Sequence, residues 1–423
     1  MQVLTYRNGG AWREVKNPQE DGNGRTIPDP ALAEIDRNLS DCFRCTNLVV
    51  LTGLGTSLHV NVLPKAPGES GPRAALPGKR IAPTMADLWN ACKANHEELF
   101  EKVIALTHFP AAKGGNIEAL LSHCKIAEEF LGDGDNKALV TGFIATAEQT
   151  VRDCVRFLDV EDDVGLHADF LRRLVRRSTR KLRTKVFTTN YDLCFEYAAR
   201  KGRYVIVDGF SHTTPQVFDS LYFSYDIVKR ESSPDSHDFI PNVFHLYKLH
   251  GSVDWTRNKN SGEIEKAPTS ESPLLIYPRN TKYELSFEQP YLEMMSAFQT
   301  ALRQPDTGLL VLGFGFNDNH LAEPILSAIN SNLHLKVVVC DPGLGPWEHK
   351  EKGLQDGNDA KHPYLSKLRY LIEHGDARLA LISATFEQAV PLMPDIAAET
   401  DLEQHYESPR VLRRLQLLRE CEP

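Results

Sequence analysis

Two polar clusters in the chain carry side chains suited to proton transfer and hydrogen bonding on a bound ligand. Thr188-Thr189-Asn190-Tyr191-Asp192 follows the apolar pair Val186-Phe187. Lys248-Leu249-His250-Gly251-Ser252 follows Val243-Phe244-His245-Leu246. A histidine ordinarily titrates near neutrality, so His250 can take or give a proton under mild conditions. Asn190 offers a donor and an acceptor without adding charge. Asp192 supplies a carboxylate two residues further on. The other histidines considered, His212, His237, His245 and His320, lack such a setting and read as ordinary core or surface residues.

Two glycine turns and one acid complete the chemistry-bearing positions. The strand signal Asn47-Leu48-Val49-Val50-Leu51 runs into Gly53-Leu54-Gly55-Thr56-Ser57. Glycines there let backbone N–H groups approach a phosphate without interference from Cβ. A tight turn after a strand explains the same pattern, because Leu58 stands where a dinucleotide fingerprint has its third glycine. The apolar run Gly308–Leu312 ends in Gly313-Phe314-Gly315, and the run Leu335–Cys340 ends in Asp341, an acid placed as a ribose contact requires. In a hydride-transferring domain the acid stands roughly 20 residues after the first glycine turn. No strand-ending acid lies there, which argues against a dehydrogenase.

These clusters need elements to hold them. Each follows an apolar run, and Gly308–Leu312 is apolar throughout, as a strand buried on both faces would be. Further strands are expected at 204–207, 274–278 and 378–382, and helices at 31–39, 289–303, 364–372 and from Thr385. Between about 60 and 180 the period is helical, with Met85, Leu88 and Cys92, or Leu120, Leu121 and Cys124, spaced for one face. Strand, polar end, helix and strand recur in order, which predicts an α/β fold with an open, doubly wound parallel sheet of Rossmann-like type and a large all-helical insertion. The expected division is an N-terminal arm over 1–30, a nucleotide-binding domain over 31–82 and 181–395, the insertion over 83–180, and a charged C-terminal helix over 396–423. The run from Arg172 to Arg183 reads as a basic helix, either solvated, or an interface, or a surface for polyanions.

Composition narrows the classes. A hydrophobic fraction of 41% with 25% charged residues is ordinary for a globular chain. No apolar run approaches the roughly 20 residues that span a bilayer, and no signal-peptide core opens the sequence. Eight scattered cysteines suit reduced thiols in the cytoplasm rather than a disulfide framework. A net charge of −9 argues against sequence-independent nucleic-acid binding as the main task, leaving only the local basic run or a partner for such contacts.

Taken in order, the Gly53–Ser57 turn, the Thr188–Asp192 cluster, the Leu249-His250-Gly251 segment, the Gly313-Phe314-Gly315 turn and the strand end at Asp341 resemble the motifs of sirtuins. The resemblance spans roughly residues 40–390, without the insertion or the termini. It implies NAD as substrate, with Gly53, Gly55, Thr56, Ser57, Gly313, Gly315 and Asp341 binding it and with Asn190, His250 and Asp192 catalytic. In that scheme Asp192 positions its loop or bonds the nicotinamide amide. The sequence departs from sirtuin deacylases in having no cysteine between Cys194 and Cys340, so the usual structural zinc is not expected. Cys42 and Cys45 form the one Cys-x-x-Cys pair, have no partner pair and read as plain thiols. With the long insertion, this looks like the bacterial sirtuin-like domains that destroy NAD in anti-phage defence. Among them it looks most like the subunit that assembles, as an oligomer, with a HerA-type hexameric ATPase. The implied activity is an NAD glycohydrolase giving nicotinamide and ADP-ribose. The alternatives are an NAD-dependent protein deacylase and a non-catalytic NAD or ADP-ribose sensor.

Overall fold

The computed structural model describes residues 1–16, 29–64, 71–110, 114–178, 181–229, 239–267, 274–275, 289–345 and 363–395, with the backbone of 19–20, 26–27, 230 and 237–238. In chain order, β1 (Gln2–Thr5) and β2 (Arg13–Glu14) precede a ribbon of β3 (Gln19–Glu20) and β4 (Thr26–Ile27). Helix α1 (Pro30–Arg44) leads into β5 (Asn47–Thr52). Five helices follow: α2 (Met85–Asn95), α3 (Glu97–Thr107), α4 (Ile117–Phe130), α5 (Asp135–Val155) and α6 (Gly165–Val175). Next come β6 (Lys185–Thr188), α7 (Cys194–Gly202), β7 (Val205–Val207) and the ribbon of β8 (Val228–Arg230) and β9 (His237–Phe239). Strand β10 (Val243–Lys248) is followed by the ribbon of β11 (Trp255–Arg257) and β12 (Ile264–Lys266). The chain then runs through α8 (Tyr291–Leu302), β13 (Thr307–Leu312), α9 (Asn319–Ser331) and β14 (Lys336–Cys340). It continues to α10 (Pro363–Glu373), β15 (Leu379–Ser383) and α11 (Phe386–Ala389).

The main sheet has nine strands in the order β2-β1-β15-β14-β13-β5-β6-β10-β7. From β15 to β7 every neighbouring pair is parallel. The alternation of side chains along these strands explains why both faces are covered. Val49, Leu51, Phe187, Leu309, Val311, Val337 and Val339 point into one apolar layer beneath α8, α9 and α10. Their neighbours Leu48, Val50, Val186, Leu310, Leu312 and Val338 point into the other, beneath α1, α6, α7 and α11. This is the doubly wound α/β architecture that the strand–helix alternation predicts.

Helices α2 to α5 share a separate core built on Cys92, Phe100, Val103, Leu120, Leu121, Phe143 and Val151. Helix α6 does not join it: Phe170, Leu171 and Leu174 pack with the sheet layer. The helical unit meets the sheet unit through Tyr191, Leu193 and Val253, next to the polar strand ends.

Three expectations are corrected. The first residues form no arm, because Gln2–Thr5 pairs antiparallel with β15 from Gln2↔Ser383 to Thr5↔Ala380, and Val3 and Leu4 are fully buried. A four-residue strand is too short to show a period, and the edge of β15 supplies its partner groups. The basic run is helical only to Val175. Among the described residues its arginines are paired within the chain: Arg172 and Arg173 on Asp169, Arg172 and Arg176 on Asp395, Arg183 on Asp226, and Arg177 on the carbonyls of Cys45 and Thr46. Leu275 makes an isolated bridge to Gly251 and does not join the main sheet. Residues 276–278 and 396–423, including the expected C-terminal helix, lie outside the described residues.

One buried group makes the sheet layer sensitive to acid. His167 of α6 is fully buried between the rings of His59, Phe195 and Phe386, and neither ring nitrogen has a partner among the described residues. Burial, and then the charge of His59, holds its pKa well below the ordinary histidine value. The unfolded chain therefore binds a proton that the folded chain refuses. The contribution is complete above about pH 6.5 and is lost as pH falls below it, at no more than about 1.4 kcal/mol per pH unit. His167→Phe is expected to flatten the fall of the urea midpoint between about pH 7 and 5, whereas an unchanged slope would assign the acid sensitivity elsewhere.

Candidate active site

Strands β5 and β13 are neighbours, and their connections leave for opposite faces and opposite directions of the sheet. A crevice at the carboxyl ends of such a pair is where ligands bind on open α/β sheets. The two glycine turns meet there. Gly55 N–H donates to the Gly313 carbonyl at 3.0 Å, and Gly53 N–H to that of Leu312 at 3.0 Å. A Cβ on Gly55 would stand 2.5 Å from Gly313 Cα, and Gly313 has φ +59°. The turns thus interlock backbone against backbone, which only glycine permits at these two positions.

Asn190 is fixed by a network that settles its orientation. Asp192 Oδ2, an acceptor only, takes the Ser57 hydroxyl at 2.7 Å, so Ser57 Oγ must accept from its other neighbour. That neighbour is Asn190 Nδ2 at 2.9 Å, which also reaches Thr56 Oγ1 at 3.3 Å. The amide nitrogen is therefore anchored, and Oδ1 is the atom Asn190 can offer a ligand. Asp192 Oδ1 accepts from the Cys194 N–H at 3.0 Å and so ties the loop to the start of α7.

A buried lysine joins this loop to the histidine segment. Lys248, 2% exposed, donates to the Tyr191 and Asp192 carbonyls, to Ser252 Oγ at 2.8 Å and to Glu196 Oε1 at 3.1 Å. Burial raises the Glu196 carboxyl above its ordinary range, and the Lys248 charge draws it back. Two residues on, His250 Nε2 lies 3.2 Å from Asp318 Oδ2. Asp318 also caps α9, accepting the His320 N–H at 2.9 Å. Burial acts to raise the Asp318 carboxyl, but the His250 hydrogen bond and charge outweigh it and leave it below the usual carboxylate range. A carboxylate bonded to a histidine ring orients the ring and stabilises its protonated form.

The helical unit closes the crevice into a cleft of about 430 Å³, within the range of small-molecule sites. One wall carries Gly53, Gly313, Gly315, Asn190, Asp192, His250, Asp318 and His320; the other carries Met85 and Leu88 of α2, Glu118, Ser122 and Ile126 of α4, and Val155 and Phe157. Glu118 Oε1 accepts the Tyr191 hydroxyl at 3.3 Å. Burial raises its carboxyl above the ordinary value, opposed by the His250 charge and the Tyr191 bond and assisted by Asp318.

Of the residues singled out in the sequence, Asn190, His250, Asp192, Gly53, Gly313 and Gly315 share the cleft wall. Gly55, Thr56 and Ser57 stand behind it, where the last two hold Asn190. Asp341 ends β14 away from the wall and accepts the Gly343 N–H at 2.7 Å. Asp318 and Glu118 escaped sequence reasoning. Asp318 had a signal, since an Asp one residue before a helical run is an N-cap pattern. Glu118 had none, being an acid in the first turn of an amphipathic helix. His245, read as ordinary, is buried in the sheet with its pKa lowered by burial to about 4. Cys42 and Cys45 are buried thiols, and among the described residues no group of three or more His, Cys, Asp or Glu side chains could hold a metal ion. No helix among the described residues is long and apolar enough to cross a membrane.

Residues 184–350 match the family model of the SIR2-like domain, from β6 through β14. The match contains Asn190, His250, Asp318 and the second glycine turn, and leaves out β5 and the helical unit. No curated protein matches the sequence. Over that stretch, which is less than half of the chain, the protein is similar to the SIR2-like domain, a domain typical of NAD-dependent enzymes.

Proposed function

We propose that the protein is an NAD glycohydrolase that cleaves the bond between nicotinamide and ribose. The observation that carries this reading is the placement of Asn190 and the His250–Asp318 pair on one cleft, at the sheet's switch point, with glycine turns beside them. Cleavage of that bond develops an oxocarbenium-like ribose. Nicotinamide departs neutral, so no strong acid is required at the leaving group. The demands are to hold the ribose, to relieve its positive charge and to admit water. His250, steadied by Asp318, takes a proton from a ribose hydroxyl as the charge develops and returns it once water has added, and Asn190 Oδ1 orients that hydroxyl or the water. The cleft's glycine turns give the pyrophosphate a close approach to backbone.

The test is nicotinamide release from NAD by the purified chain without any acyl peptide. Equimolar nicotinamide and ADP-ribose are expected. Turnover only with an acyl-lysine peptide would make the protein a deacylase, and tight NAD binding without product would make it a sensor. Assembly with a HerA-type ATPase as an oligomer and depletion of NAD in anti-phage defence are proposed on the motif resemblance alone. Co-expression with a HerA-type subunit and measurement of particle mass test the first of these. NAD levels in infected cells carrying wild type or His250→Ala test the second.

A further inference from the structure

The helical unit brings a third carboxyl to the cleft. Glu118 opens the first turn of α4, and the α2 and α4 wall around it carries Met85, Leu88, Ala119 and Ile126. The cleft's other two carboxyls are engaged: Asp192 holds Ser57 and the Cys194 N–H, and Asp318 holds His250 and the His320 N–H. Glu118 makes one bond, through Oε1 to the Tyr191 hydroxyl, and Oε2 has no hydrogen-bond partner among the described residues. It is near enough to His250 and Asp318 to sense the charge of both. Tyr191, which adjoins Asn190, has its ring 6.4 Å from that of His250.

On the glycohydrolase reading, we propose that Glu118 is the general base for the water that attacks the ribose, so that the helical unit contributes a catalytic residue to a site on the sheet. The ribose C1′–N bond breaks and its electron pair leaves with nicotinamide. The water oxygen bonds to C1′, and its proton passes to the Glu118 carboxylate, which later returns it to solvent. His250 is committed to Asp318 through Nε2 and serves the ribose hydroxyl, leaving the water to a separate base. A carboxyl in an apolar wall is a stronger base than one in water, because burial disfavours its charged form.

Glu118→Gln keeps the shape and an acceptor for Tyr191 but removes the base. It is expected to slow nicotinamide release about 100-fold, with NAD affinity by calorimetry within about threefold, and to make the acid limb of the pH profile of kcat shallower, leaving the step that His250 requires. Azide needs no base, so it is expected to raise the turnover of Glu118→Ala at least about tenfold and to yield a ribosyl azide. A structural role would move neither the acid limb nor the azide response. Turnover of Glu118→Gln within about threefold of wild type, or no azide rescue of Glu118→Ala, overturns the proposal. A wild-type chain that releases no nicotinamide overturns the glycohydrolase reading itself, whereas an active wild type beside an active Glu118→Gln removes only the role of Glu118.

Discussion

Replacing His250 by alanine is expected to slow nicotinamide release about 10³-fold, the middle of the range for loss of a general acid or base. Its imidazole can accept a proton and is supported by a carboxylate, Asp318 Oδ2 at 3.2 Å. Removing it deletes proton acceptance and also leaves Asp318 buried without its partner. That second effect costs stability, since an isolated buried carboxylate is poorly solvated. His250→Ala combined with Asp318→Asn removes the stranded charge and is expected to restore the melting temperature without restoring turnover. Single-turnover rates with NAD at saturation check the chemistry, and thermal melts check the fold. Turnover in His250→Ala within about tenfold of wild type would remove His250 from the mechanism.

Lys248→Met is expected to destabilise the chain by about 3–5 kcal/mol, the cost of breaking a buried ion pair from one side. The side chain is 2% exposed and Glu196, its ionic partner, 19% exposed, so little screening by solvent softens the loss. The substitution strands Glu196 and frees the carbonyls of Tyr191 and Asp192 from their donor. Lys248→Met with Glu196→Gln is expected to recover part of the stability, because no buried charge is then unpaired. Recovery of activity is not expected, since the tether between the Asn190 loop and the Ser252 turn stays absent. Urea midpoints of the two variants measure the first claim and nicotinamide release the second. A single variant within about 1 kcal/mol of wild type would show that the lysine is dispensable to the fold.

The division between what sequence and tertiary structure decide follows the range of the interactions. Strands β5, β13 and β14 were legible because burial on both faces demands continuous apolar runs, as in Leu48–Leu51 and Leu309–Leu312. Their polar ends were legible because helix and strand termini need turn-prone and capping residues. The alternation of these elements implied the parallel sheet, and that placed Asn190 and His250 at strand ends facing one crevice.

The contacts that complete the site were beyond local pattern. Ser57 meets Asp192 across 135 residues, and His250 meets Asp318 across 68. Such pairs are set by which strand ends adjoin, and no period records that. The same holds for Gln2–Thr5, whose strand exists because the edge of β15 was open to it. Arginines that read as a basic helix surface became intramolecular ion pairs once Asp169, Asp226 and Asp395 were folded against them. Sequence alone determined the sheet and the side chains at its carboxyl edge. Only the tertiary structure decided that Asp318 supports His250 and that Glu118 lines the same cleft, because the docking of a separately cored helical unit depends on long-range packing rather than on any local preference.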